Sequence, residues 1–261
     1  MKNESSRFGD STVFEGMTSI RAVISSMSDG TSDRKITKVL IDKSRFDKKH
    51  DDIEFLERIA ADLKFEIEFC SSGYIDSLSI GSSHGGIVAV CTGRNLPALT
   101  PNEIVDNGFY VMIEGIEDPY NFGYAIRSIY ASGADGIILS PRNWMSAAGV
   151  VCRSSAGTSE LIKSYISTPS EAISTFKARN YKIAGAGIRD SVSAYDADLK
   201  RPLLLIVGGE KRGISNTLLS LCDMIVRLDY GREFRGSLST ASAASILSYE
   251  VLRQNRKESS D

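Results

Sequence analysis

The chain has 261 residues, 42% hydrophobic and 25% charged, a balance that excludes a disordered or collagen-like polypeptide and allows one large or two modest domains. A formal charge of −2 and a pI near 5.8 argue against a surface that is basic all over, so a polyanionic partner has to meet a local basic patch. Four cysteines without a C-x-x-C pair and two histidines argue for reduced, mostly buried thiols and against a disulfide framework or a metal site.

The start, MKNESSRFGDS, is polar and lacks the apolar core of a signal peptide, and residues 1–12 are expected to be flexible. The longest apolar runs, such as LLLIVGG at 203–209, are too short to span a bilayer, so the chain is read as cytoplasmic with no membrane partner. From EGMTSIRAVISSM the pattern is helical, and ITKVLID (36–42) is a short buried strand. DIEFLERIAADL (52–63) carries Ile53, Leu56, Ile59 and Leu63 at helical spacing, FEIEFC alternates as a strand does, and GIVAVCT (86–92) is one more strand. A compact α/β domain over 13–95 is the expectation.

Residues 96–107, within TGRNLPALTPNEIVDNG, have little periodicity and two prolines, the pattern of a linker. Beyond them, over 108–261, strand and helix segments alternate from FYVMIEG to the terminal STASAASILSYEVLRQ. Such alternation predicts crossover units and a mostly parallel sheet covered by helices, with ligands at the carboxyl ends of the strands.

Three segments of this second part carry candidate chemistry. In DPYNFGYAIRS (118–128), Asn121 stands where a helix N-cap belongs, and Gly123 and Arg127 lie on one helix face. A ligand there meets bare backbone and then a guanidinium suited to phosphate, but a plain cap and a surface ion pair account for the same residues. In LLLIVGGEKRGIS (203–215) a strand runs into Gly208-Gly209-Glu210 and Gly213, which lets a ligand lie against backbone beside a carboxylate. The order of a P-loop is missing there, and GAGIRD (185–190) lacks the third glycine of a dinucleotide fingerprint. In the third segment, 222–254, Ser239, Ala241, Ser242, Ala243, Ala244 and Ser245 leave room for close approach of another segment, or for tight helix packing alone.

Together these segments resemble the SpoU (TrmH) branch of the SPOUT class of S-adenosylmethionine-dependent RNA methyltransferases, over nearly the whole chain. The first motif resembles Asn121, Gly123 and Arg127, the second VGGEKRGIS, the third SLSTASAASI. GMTSIRAV and SHGGIVAV (83–90) are similar to the small N-terminal RNA-binding domain that many members carry. The resemblance implies an α/β fold with a mostly parallel sheet and a deep trefoil knot in a methyltransferase domain at 108–261, a smaller N-terminal α/β RNA-binding domain at 13–95, and a homodimer. General topology rules argue against a knot, so that expectation rests on the resemblance alone.

The implied reaction is methyl transfer from S-adenosylmethionine to a ribose 2′-hydroxyl of a structured RNA, giving S-adenosylhomocysteine without a metal, with ribosomal RNA preferred over transfer RNA. Donor contacts are assigned by resemblance to Gly208, Leu228 and Leu238, with Gly209 and Ser239 beside them. Arg127 is assigned to the reacting ribose and its neighbouring phosphate, Asn121 to the motif loop and Glu210 to orienting these parts. Arg142, Arg153, Lys211, Arg212, Arg232 and Arg235 are the expected basic contacts, with Ser155 added from RSSAGTSEL, a segment similar to one that opens toward the substrate. His84 matches a family position but serves equally as a structural histidine.

The chain also departs from the pattern. Ser237-Leu238-Ser239 stands where S-L-N is usual, Ala241 where a serine is, and LDY (228–230) where Ile-Pro-Met is, which puts Asp229 in place of a proline beside the expected adenine. An RNA-binding protein of the same fold with weakened or lost methyl transfer is therefore the competing reading.

Overall fold

The computed structural model describes residues 13–81, 84–141 and 147–256. Its elements in chain order are β1 (Val13–Glu15), α1 (Gly16–Asp29), β2 (Ile36–Asp42), α2 (His50–Leu63), β3 (Glu66–Cys70), α3 (Ser72–Leu78) and β4 (Ile87–Cys91). They continue with β5 (Phe109–Glu114), α4 (Pro119–Ala131), β6 (Gly136–Leu139), α5 (Ala148–Ser154), α6 (Thr158–Leu161), β7 (Ser164–Ile166), α7 (Pro169–Ala178) and β8 (Lys182–Ala186). The last are β9 (Val192–Ser193), β10 (Leu203–Gly208), α8 (Asn216–Leu219), β11 (Met224–Arg227) and α9 (Thr240–Asn255). The chain divides into one unit of Met1–Asn95 with Asn143–Leu161 and another of Leu96–Arg142 with Ile162–Asp261.

In the first unit the sheet order is β1-β4-β2-β3, with β2 and β3 parallel and β4 antiparallel to both β1 and β2. Helix α1 turns Ile20, Val23 and Ile24 into a core with Phe14, Ile36, Val39 and Ile41, and stops at Gly30, whose φ of 74° is the left-handed conformation that glycine adopts without strain. Ala148 and Cys152 of α5 belong to the same core. Glu160 of α6 reaches the buried Arg34, with Nε to Oε2 at 3.0 Å. Residues 147–161 thus join the first unit, whereas the sequence reading puts them inside the second; their apolar positions and one carboxylate complete the first core.

The second unit is built on a seven-stranded sheet, β7-β6-β5-β10-β8-β11-β9, parallel at every pairing, as the alternation of strand and helix implied. Central strands β5 and β10 are apolar and buried along nearly their whole length because helices cover both faces. The stretch read as a linker is tied down: Leu99 N–H donates to Ile166 O at 2.9 Å and Ile166 N–H to Pro97 O at 2.8 Å, which extends the sheet beyond β7.

Helix α4 buries Phe122, Ala125, Ile126 and Ile129, and the Phe and Ile side chains contribute roughly 1.5–3 kcal/mol each. It packs against α9, where Ala241, Ala244 and Ser248 are buried and Ser245 Oγ donates to Ser128 Oγ at 2.6 Å. The small residues of the third segment therefore serve tight helix packing. Among the described residues no helix is long and apolar enough to cross a membrane.

Candidate active site

Because the strands of the second sheet are parallel, β5, β8, β10 and β11 all deliver their carboxyl ends to one edge. The segments that follow them, starting at Gly115, Gly187, Gly209 and Leu228, are gathered there, where parallel sheets place ligands. Gly208, Gly209, Glu210, Arg212, Leu228 and Leu238 all line a cleft of about 1000 Å³ at this edge.

The bend after β10 needs its glycines. A Cβ on Gly208 would fall 2.3 Å from the backbone carbon of Gly213, and one on Gly209 would fall 2.2 Å from the carbonyl oxygen of Gly115. Gly213 N–H closes the turn on Gly209 O at 2.9 Å with a φ of +60° at Gly213. Bare backbone therefore forms part of the cleft wall.

Glu210 links the three sequence segments. Its Oε1 accepts from Asn121 Nδ2 at 3.2 Å and, at the longer distance of 3.4 Å, from the backbone N–H of Thr240 at the start of α9. Thr240 in turn donates its hydroxyl to Gly208 O at 2.8 Å. One carboxylate and one hydroxyl thus hold together α4, the β10 bend and α9.

Asn121 is not the N-cap of α4. That place belongs to Asp118, whose Oδ1 accepts from Asn121 N–H at 2.7 Å, with Pro119 opening the helix. Set inside the first turn, Asn121 has its side-chain amide directed to Glu210. Ser239, expected beside the donor, is itself a helix N-cap: its Oγ accepts from Ser242 N–H at 3.1 Å, and it is not among the residues lining the cleft. Arg127 lies two turns into α4, is exposed and makes no ion pair among the described residues; it too stands outside the cleft lining. Arg212 and Arg232 are exposed, while Lys211 is paired with Glu117 at 2.5 Å and Arg235 with Glu233 at 3.5 Å.

The remaining expected contacts fall elsewhere. Arg142 lies outside the described residues. Arg153 belongs to the first unit, where its Nη1 is 2.7 Å from Oε2 of the buried Glu15, so its charge is engaged in an internal pair. Ser155 is fully buried in the same unit; its hydroxyl donates to Cys152 O and accepts from Ser159 N–H, which leaves no exposed atom for an RNA contact. His84 is buried, pairs with Asp76 at 3.0 Å and accepts from Gly86 N–H at 3.1 Å, the bonding of a structural histidine.

Two features were not anticipated from sequence. One is Thr240, for which the Ser-Thr pair ahead of an alanine-rich run is the readable signal of a helix start. The other is a bonded set at Asp229, where the hydrogen bond from Ser193 and the neighbouring Arg227 hold the carboxyl below the usual carboxylate range.

A family model described as the SpoU rRNA Methylase family matches residues 108–249. The chain is 27% identical over 234 residues to the 23S rRNA (guanosine-2'-O-)-methyltransferase RlmB of Yersinia pestis, covering 85% of this chain and 90% of that protein. It is 25% identical over 237 residues to the mitochondrial rRNA methyltransferase 1 of Schizosaccharomyces pombe, covering 76% and 78%. Among solved structures, the SpoU methyltransferase AviRb of Streptomyces viridochromogenes in complex with AdoMet superposes with a TM-score of 0.76 at 21% identity, over 98% of this chain and all of that one.

Proposed function

The chain belongs to the SpoU rRNA methylase family, and from that premise we propose that it transfers a methyl group from S-adenosylmethionine to a ribose 2′-hydroxyl of a structured RNA. The product on the donor side is S-adenosylhomocysteine. The observation that carries this reading is the Glu210 junction at the mouth of a glycine-walled cleft. The cleft suits a donor of nucleoside size, because ligand sites of this kind run to roughly 300–1,000 Å³.

When bound, the donor supplies an already activated sulfonium methyl, so the protein's task is alignment, an effect worth about 7–11 kcal/mol. Gly208 and Gly209 offer backbone without side-chain bulk, and Leu228 and Leu238 give the cleft apolar walls. A guanidinium has no lone pair to take a proton, so Arg127 is given no general-base role. Its role is to grip the phosphate beside the target ribose and to stabilise negative charge on the 2′-oxygen as the oxygen–carbon bond forms. In this reading the hydroxyl proton passes to that phosphate as the new bond forms. Asn121 and Glu210 hold the start of α4 against the β10 bend, which fixes the helix that carries Arg127.

Ribosomal RNA is the substrate class we favour, in keeping with the rRNA methyltransferases among the relatives. We also infer a homodimer through the α4–α9 face, where Tyr120, Tyr124, Ile246 and Tyr249 are each about half exposed. The segment from Leu228 to Ser239 is read as the part that makes the trefoil knot.

Calorimetric titration with S-adenosylmethionine tests the donor site. Binding by wild type and Arg127→Ala but not by Gly208→Val is expected, with melting curves to show that each variant is folded. On an RNA methylated by wild type, Arg127→Ala should lower the rate by about 10²-fold or more, the scale of losing one charge-stabilising donor. A folded wild type that binds RNA and no donor would replace this reading with that of an RNA-binding protein.

A further inference from the structure

Two walls of the cleft meet where β11 ends. On one side lie Ile188, Arg189 and Asp190, which follow β8; on the other lie Leu228, Asp229 and Tyr230, which follow β11. The strand that joins the two sides is short. Strand β9 has two residues, paired to β11 through Val226 with Val192 and Arg227 with Ser193, which leaves little ladder to hold the walls in register.

Side chains continue the connection where the ladder stops. Asp229 Oδ1 takes Arg227 Nε at 2.8 Å, and Arg227 Nη1 donates onward to Ser191 O at 2.6 Å. Asp229 Oδ2 accepts from the hydroxyl of Ser193, and Ser191 Oγ donates to Ile188 O at 2.6 Å. Both carboxylate oxygens of this exposed residue thus accept from the protein's own side chains, across the gap between the walls.

We propose that Asp229 is a positioning residue for the methyl donor, its carboxylate latching the β11 loop to segment 188–193 so that the cleft walls keep a fixed spacing. This rests on the donor reading above and deepens it. The loop after β11 thus gains its stiffness from a three-residue polar latch, Asp229, Ser193 and Arg227, whose hold depends on each partner.

That dependence gives the test. Donor affinity is measured by calorimetry on wild type, Asp229→Ala, Asp229→Asn, Ser193→Ala and the Asp229→Ala/Ser193→Ala pair, with melting temperatures and amide exchange over 187–194. The expected result is roughly tenfold weaker donor binding for Asp229→Ala, the size of one partly exposed charge-assisted bond. Asp229→Asn should recover part of the affinity, and the double variant should be no weaker than Asp229→Ala alone, because the two residues act as one unit. The donor KM should rise far more than kcat falls, and amides 187–194 should exchange faster.

Wild-type affinity in a folded Asp229→Ala removes the latch while leaving the donor site standing. Equal losses in KM and kcat together with a lowered melting temperature also overturn it, as the sign of a stability role only. No donor binding by wild type removes the donor reading, and the latch with it.

Discussion

A methyl group at position 209 has nowhere to go. Its carbon would stand 2.2 Å from the carbonyl oxygen of Gly115, a backbone atom just beyond β5, the parallel neighbour of β10. Gly209→Ala should therefore cost about 1–3 kcal/mol as the two segments move apart, and donor binding should fall with it. Gly213→Ala meets open space but has to hold a φ of +60°, so its expected cost is about 1–2 kcal/mol. Urea unfolding of the two variants beside wild type checks both, and unchanged midpoints would mean that the bend is more pliable than its contacts imply. The thiols make a second residue-scale prediction. Burial pushes Cys91 up to about 12 and Cys222 up to about 11, and raises Cys152 further. Reaction with a disulfide reagent near pH 8 should be slow at these three until the chain is unfolded, and fast labelling of native protein would contradict it. The glycine pair at the end of an apolar run was legible in the sequence, because few local needs other than close backbone approach put two glycines there. The cap of α4 was misread: Asp118 and Asn121 are both good caps, and Pro119, which favours the first helical position, is the signal that selects Asp118.

At the scale of elements, Ser239 has a structural role of its own as a helix cap. Serine and asparagine are about equally good N-caps, and Ser239 caps α9 through Ser242 N–H. Ser239→Asn should thus leave the melting temperature nearly unchanged, while Ser239→Ala should cost about 1 kcal/mol, or about 2–4 °C for a chain of this size. A stabilised Ser239→Ala would show that the cap is not what this position contributes. The long elements were readable because they carry strong periods: β5 and β10 as unbroken apolar runs, α1 and α2 by their helical spacing. The short ones were not. Strands β1 and β9, of three and two residues, and helix α3, of seven, present too few positions for a period to repeat. Yet β9 carries Ser193, one partner of the Asp229 latch, so part of the site's support was invisible for the same reason.

At the scale of the molecule, the order of the chain and the membership of its cores differ. Residues 147–161 follow β6 of the second sheet in sequence but cluster with the first unit, which no local pattern in RSSAGTSEL indicates, since its helical spacing suits either core. What the segment brings is a counter-charge. Arg34 and Arg94 have side chains only 2% and 6% exposed, and Glu160 stands 3.0 Å from the first and 4.0 Å from the second. Each guanidinium also donates to a backbone carbonyl, Arg34 to Thr92 at 2.7 Å and Arg94 to Ser159 at 2.8 Å, but carbonyls do not neutralise two buried positive charges. Glu160→Gln keeps the shape and removes the charge. It should destabilise the first unit by about 3–5 kcal/mol, the usual cost of breaking a buried ion pair from one side. That is a large share of the roughly 5–15 kcal/mol that holds a domain folded. Amide exchange localises the effect: β2 and β4 should lose protection while β5 and β10, in the other unit, keep theirs. Equal loss in both sheets would mean that the two units unfold as one, and no loss in either would mean that water reaches the arginines and does the work assigned to Glu160.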